Sequence, residues 1–164
     1  APRRPVATIL ASLASVPPLR VLPISNEFDV FRRAWPQETE RAMALTGDIL
    51  RTCAADAWER GARFGVVYIP TRMEVNDSDW AWSRLRYGLD PAGWDRGRLA
   101  TSLEAWGREA RYPVLDLTPA LRAETSFWKG RVYYQTDSHW NARGHGVVAA
   151  ALRDWLRSLG WLPA

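Results

Sequence analysis

From residue 36 onward the chain switches between a helical and an extended pattern of apolar positions, and each switch marks an element. Ala42, Leu45, Ile49 and Cys53 recur at spacings of three and four, which predicts a helix with those four on its buried stripe. Pro36 suits its first turn, Glu38 and Glu40 lie near the positive end of its dipole, and Gly61 supplies a stop. Phe64 to Ile69 is a short apolar run bounded by Gly61 and Pro70, which predicts a strand buried on both faces. Thr71 to Asp79 is polar and turn-rich, and reads as the loop leaving that strand. Asp79 to Leu89 carries Trp80, Trp82, Leu85 and Tyr87 on a helix or packed loop, and Asp90-Pro91 breaks it. Leu99, Leu103, Trp106 and Ala110 mark a further helix over about residues 95–111. Pro113 to Leu117 is the next strand, and Thr118-Pro119 opens a helical turn. Arg131 to Tyr134 is extended, and a last helix from near Asn141 places Val148, Leu152, Trp155 and Leu159 on one face. Helix, strand, helix, strand, helix predicts an α/β domain whose parallel sheet is covered on both faces.

Residues 1–36 carry a weaker pattern and read as a connector, distinct from a domain over residues 37–164. Val6 to Ser15 predicts a short helix ended by Pro17-Pro18, and Leu19 to Ile24, interrupted by Pro23, an extended connector or edge strand. Arg3-Arg4-Pro5 and the apolar residues after it are too short, and lack the cleavage site, for a signal peptide. Asn26 to Ala34 predicts a helical turn carrying Phe28 and Phe31.

Candidate chemistry is concentrated in Asp137-Ser138-His139-Trp140-Asn141-Ala142-Arg143-Gly144-His145, which holds both histidines of the chain. A carboxylate two positions from an imidazole can fix its tautomer and support its charged form, so His139 reads as a general base with Asp137 as its partner. The plainer reading makes Asp137 or Asn141 a helix cap and His139 an ordinary surface residue. A metal site of Asp137, His139 and His145 lacks further Cys or His ligands, so no metal and no cofactor is expected.

The Asp-x-His-Trp-Asn-x-x-Gly-His block, followed by an alanine-rich amphipathic helix, resembles the last block of SGNH (GDSL-like) hydrolases. Val114 to Arg122 resembles the strand and turn that precede it in those proteins, and Gly65 to Thr71 resembles their penultimate central strand. The resemblance implies a three-layer parallel sheet with helices on both faces in flavodoxin-like order, here incomplete, with the chain as its C-terminal portion. It implies an ester hydrolase or O-acyl (acetyl) transferase acting on an acylated small molecule or polysaccharide. His139 would then deprotonate a serine, Asp137 would orient His139, and Arg72 and Trp140 are the candidate substrate contacts. Two departures stand out: only Ser138 separates the acid from the histidine, and the Gly-Asp-Ser nucleophile block is absent. The second reading is therefore a non-catalytic binding or scaffold module that has lost the nucleophile. An extracytoplasmic or membrane-associated location goes with this class of enzyme.

Composition narrows the field further. At 164 residues the chain suits one domain, and ten tryptophans rule out a disordered tail. The net charge is +4, but the arginines are scattered among acids, so no nucleic-acid partner is expected. No run of about 18 apolar residues is present to span a membrane. Cys53 reads as a buried small hydrophobe on the first helix. Asp116, near the end of the second strand, reads as a turn or cap residue. A partial sheet would leave edges uncovered, which predicts a homo-oligomer or cover from a further N-terminal segment.

Overall fold

Two short strands, β1 (Val66–Tyr68) and β2 (Val114–Asp116), pair in parallel with Val66 opposite Val114 and Tyr68 opposite Asp116. The computed structural model describes residues 26–125 and 131–163, so the expectations for Val6–Ser15 and Leu19–Ile24 lie outside the described residues. Helix α1 (Gln37–Glu59) precedes β1, which is followed by α2 (Arg72–Val75) and α3 (Asp77–Tyr87). Helix α4 (Arg98–Ala110) leads into β2, and α5 (Thr118–Glu124) and α6 (Ala142–Ser158) follow it. The result is an α/β domain with a small parallel sheet, as the alternation of elements predicts.

Side chains leave a strand alternately to its two faces, and the core divides accordingly. Val66, Tyr68 and Val114 meet Leu50 of α1 and Ala100, Leu103 and Trp106 of α4. Val67 and Leu115 meet Leu117, Leu121, Val132 and Tyr133, with Val147, Val148 and Ala151 of α6 packed on them. A third cluster joins Phe28 and Phe31 to Leu89 and Trp94. Phe28 and Phe31 sit on a 3₁₀ turn, Asn26–Phe31, so the connector from Asn26 onward is built into the domain.

Four expectations are corrected. The buried residues of α1 are Met43, Gly47 and Ala54, whereas Ala42, Leu45, Ile49 and Cys53 face outward. Helix α1 carries apolar residues on two adjoining stripes, and the register is set by Gly47. A Cβ there would stand 3.3 Å from the Trp106 ring, so the missing side chain lets α4 approach. Cys53 is accordingly exposed rather than buried. The strand expected to be buried on both faces ends at Tyr68, and Ile69 is exposed. The supposed loop after Pro70 contains α2, with Thr71 and Glu74 forming a capping box at its start.

Candidate functional site

Residues 131–141 form a narrow hairpin at the carboxyl end of the sheet. Tyr133 and Trp140 pair as an antiparallel bridge. The Asn141 amide donates to the Val132 carbonyl at 3.0 Å, and the Tyr134 amide to the His139 carbonyl at 3.0 Å. Asn141 also caps α6, its side chain accepting from the Gly144 amide at 3.0 Å and donating to the Arg131 carbonyl at 2.8 Å. The helix start and the hairpin base are thus one unit. Gly144 is required there, because a Cβ would run into the Val132 carbonyl oxygen.

Asp137 and His139 occupy the hairpin tip. Asp137 Oδ1 accepts the His139 backbone N–H at 2.8 Å and faces His139 Nδ1 at 3.5 Å. The imidazole is 84% exposed and the Asp137 side chain 52%. A single carboxylate oxygen therefore binds the backbone amide and lies within ion-pair distance of the near ring nitrogen of the same residue, which leaves Nε2 as the ring nitrogen not facing Asp137. Ser138, between them, lines a recess of 430 Å³ with Thr71, Arg72, Trp82, Ser83 and Arg86. A larger recess of 950 Å³, bordered by Arg122, Arg131 and Tyr134, lies against the first strand of the hairpin.

The other expected residues lie around the hairpin. Arg72 donates through Nη1 to the Gln135 carbonyl at 2.8 Å and the Tyr134 carbonyl at 3.3 Å, and its Nε faces Asp79 Oδ2 at 3.2 Å. Trp140 packs on the core beneath the hairpin, with the His145 ring edge-on at 5.5 Å. Asp116 Oδ1 accepts the Thr118 amide at 2.8 Å and so shapes the turn into α5. Among the described residues no group of three or more His, Cys, Asp or Glu side chains could hold a metal ion. No described helix is long and apolar enough to cross a membrane.

Sequence reasoning missed the buried polar layer under the hairpin. Glu74 is 1% exposed; its Oε1 accepts the Tyr68 hydroxyl at 2.5 Å and its Oε2 the Thr71 amide and hydroxyl at 2.7 and 2.9 Å. Burial holds its carboxyl above the ordinary 4.5, against the pull of those hydrogen bonds. Burial and the nearby Glu74 drive the Tyr68 hydroxyl far above its ordinary range. Tyr133 donates its hydroxyl to the Pro70 carbonyl at 2.5 Å, and burial pushes it up to about 12. One signal was available: Thr71-Arg72-Met73-Glu74 has the Ser/Thr-x-x-Glu spacing of a capping box.

Among solved structures, the chain is similar to the O-acetyltransferase domain of Pseudomonas putida AlgJ, with a TM-score of 0.63 and 18% identity. The match covers 88% of this chain and 49% of that one, so the chain spans about half of that structure and shares its fold. No curated protein matches. The family model of the SGNH hydrolase-like domain of acetyltransferase AlgX matches residues 31–163, from Phe31 in the N-terminal cluster to the end of the described chain. That span takes in both strands and the Asp137–His139 hairpin, and the chain belongs to this SGNH hydrolase-like family.

Proposed function

We propose that the chain contributes the acid–base half of an O-acetyl transfer or ester-hydrolysis centre that acts on acylated carbohydrate. His139 is the general base and Asp137 the group that orients it. The observation supporting this most is the tip itself: one carboxylate oxygen accepts the His139 amide and stands 3.5 Å from Nδ1, while the ring is 84% exposed. Nε2 of a ring oriented this way can take the proton of a hydroxyl as that oxygen attacks an acyl carbonyl. The C–O bond of the ester then breaks, and the imidazolium returns the proton to the departing alkoxide. A second hydroxyl, of water or of a sugar, releases the acyl group by the same exchange in reverse order.

The recess beside Ser138 suits a sugar ring. Trp82 offers an exposed indole face, and Ser83, Thr71 and Arg86 bring polar groups to the same wall. The nucleophile comes from outside the described residues in this reading. The full domain is read as a three-layer parallel sheet in flavodoxin-like order, with further strands beside those described.

The non-catalytic reading has one observation in its favour. Among the described residues no hydroxyl is hydrogen-bonded to the His139 ring, and Ser83, Ser102 and Ser158 each donate to a carbonyl of their own helix. Labelling with a fluorophosphonate probe separates the two readings when applied to the protein as its natural gene encodes it. Stoichiometric labelling of one serine, lost in His139→Ala, is the result expected of the enzyme. No labelling in either form supports the binding module.

A further inference from the structure

We propose that Arg72 is a positioning residue for His139, holding the hairpin tip over the carboxyl end of β1 rather than touching substrate. The inference rests on the reading of His139 as the base. Its own evidence is the path of hydrogen bonds from the sheet to the tip.

That path begins on β1. Tyr68, its last residue, donates to Glu74, and Glu74 fixes the Thr71 amide and hydroxyl. Arg72 follows Thr71 directly, so its backbone is set by a buried carboxylate of α2 that is itself bonded to the strand. Its guanidinium then reaches the Tyr134 and Gln135 carbonyls, the first two of the tip. Asp79 steadies it from α3 with a side chain only 16% exposed, and the other oxygen of Asp79 faces Arg131 Nη1 at 3.6 Å. Two arginines on one carboxylate therefore grip the hairpin at its base and at its tip.

The remaining bonds of the tip are internal, from Tyr134 to His139 and from His139 to Asp137. Among the described residues, the Arg72 donors are the hydrogen bonds that join residues 134–139 to another element. A planar guanidinium can serve two carbonyls and a carboxylate together, which a lysine ammonium does less well. A displacement of about 1 Å in a catalytic group can lower a rate on the order of a hundredfold, so such a brace matters to turnover.

Amide hydrogen exchange tests this without turnover. In Arg72→Gln, the Tyr134 and His139 amides should exchange at least about tenfold faster, a change of about 1.4 kcal/mol in local opening. The Asn141 amide at the hairpin base and the Leu103 amide in the core should keep their rates. Arg72→Lys should restore part of the protection, and Arg153→Gln, on the far end of α6, should change nothing at the tip. Asp79→Asn, which keeps the shape of the carboxylate, should loosen the same two amides if Arg72→Gln fails to fold. Tip amides unchanged in these variants, or a uniform rise across core and tip, overturn the proposal. Because no activity is read, an inactive tip would contradict the base assignment and leave this result standing. In a turnover assay of the protein as its natural gene encodes it, Arg72→Gln should lower kcat and leave KM, whereas a rise in KM alone would make Arg72 a substrate contact and overturn the proposal.

Discussion

The Tyr68 hydroxyl and the Glu74 carboxylate meet at 2.5 Å beneath the candidate site, joining the last residue of β1 to the first turn of α2. Burial of that carboxyl outweighs the hydrogen bonds to it, so the expected result is a stability that falls as pH rises. Burial raises the Glu74 carboxyl above 4.5 in the folded chain. Below that pH both states carry the proton, and the contribution of the group is fully present. Above it the unfolded chain ionises first, and the contribution is lost as pH rises through the folded value. Urea unfolding at about pH 5 and about pH 8 should show this slope, and Glu74→Gln should flatten it. Glu74→Ala leaves the buried Tyr68 hydroxyl without its acceptor and should cost about 1–3 kcal/mol.

Gly144 gives a test of the join between helix and hairpin. Helix propensity alone favours Gly144→Ala by about 1 kcal/mol. The Val132 carbonyl stands where the new Cβ would go, and it is itself held by the Asn141 amide. Overpacking of this kind costs about 1–3 kcal/mol, so a net loss of stability is expected. Gly146→Ala on the same helix meets nothing within 4 Å and should be stabilising. Thermal unfolding of the two variants checks the contrast.

Much of the fold was legible because period and punctuation agreed. Pro36 and Gly61 bracket α1, Gly61 with φ +69 ends it, and Pro70 ends the run that contains β1. The register of α1 was not legible. Its contact with α4 is made through Gly47 against Trp106, and a stripe of large apolar residues carries no sign of a glycine contact. The pair Asp137 and His139 was visible as a motif, but the grip on it was not. Arg72 and Gln135 are 63 positions apart, and the bond is to a backbone carbonyl, which every residue has. Glu74 was hidden differently, since a glutamate in a polar stretch reads as solvated until the strand beside it buries it.

The outward stripe of α1 should be a contact surface. Leu45 and Ile49 are exposed there, and among the described residues nothing pairs with the second edge of β1. Leu45→Glu and Ile49→Glu should alter folding stability by less than about 0.5 kcal/mol. Self-association in sedimentation experiments should weaken in both. Unchanged association would remove this face from consideration.

The chain as it stands should not turn over an activated acetyl ester by a serine mechanism. General-base assistance is worth about 10²–10⁴ in rate only when a nucleophile is positioned for it. Ser138 lies between the acid and the base, and the hydroxyls of Ser102 and Ser158 are bonded within their helices. Mass-spectrometric mapping after fluorophosphonate treatment of the 164-residue chain should find no stoichiometric serine adduct. One adduct abolished by His139→Ala would show that the nucleophile is present in this chain.

The most direct measurement of the central claim is acetyl-ester turnover by the protein as its natural gene encodes it, with His139→Ala and Asp137→Asn beside it. His139 is a surface side chain at 84% exposure, so its removal should leave the unfolding midpoint in place. A base role requires kcat to fall about 10²–10⁴-fold in His139→Ala, with a smaller loss in Asp137→Asn and little change in KM. A His139→Ala protein that keeps its kcat within about threefold would contradict the assignment, since general-base help is worth far more than that.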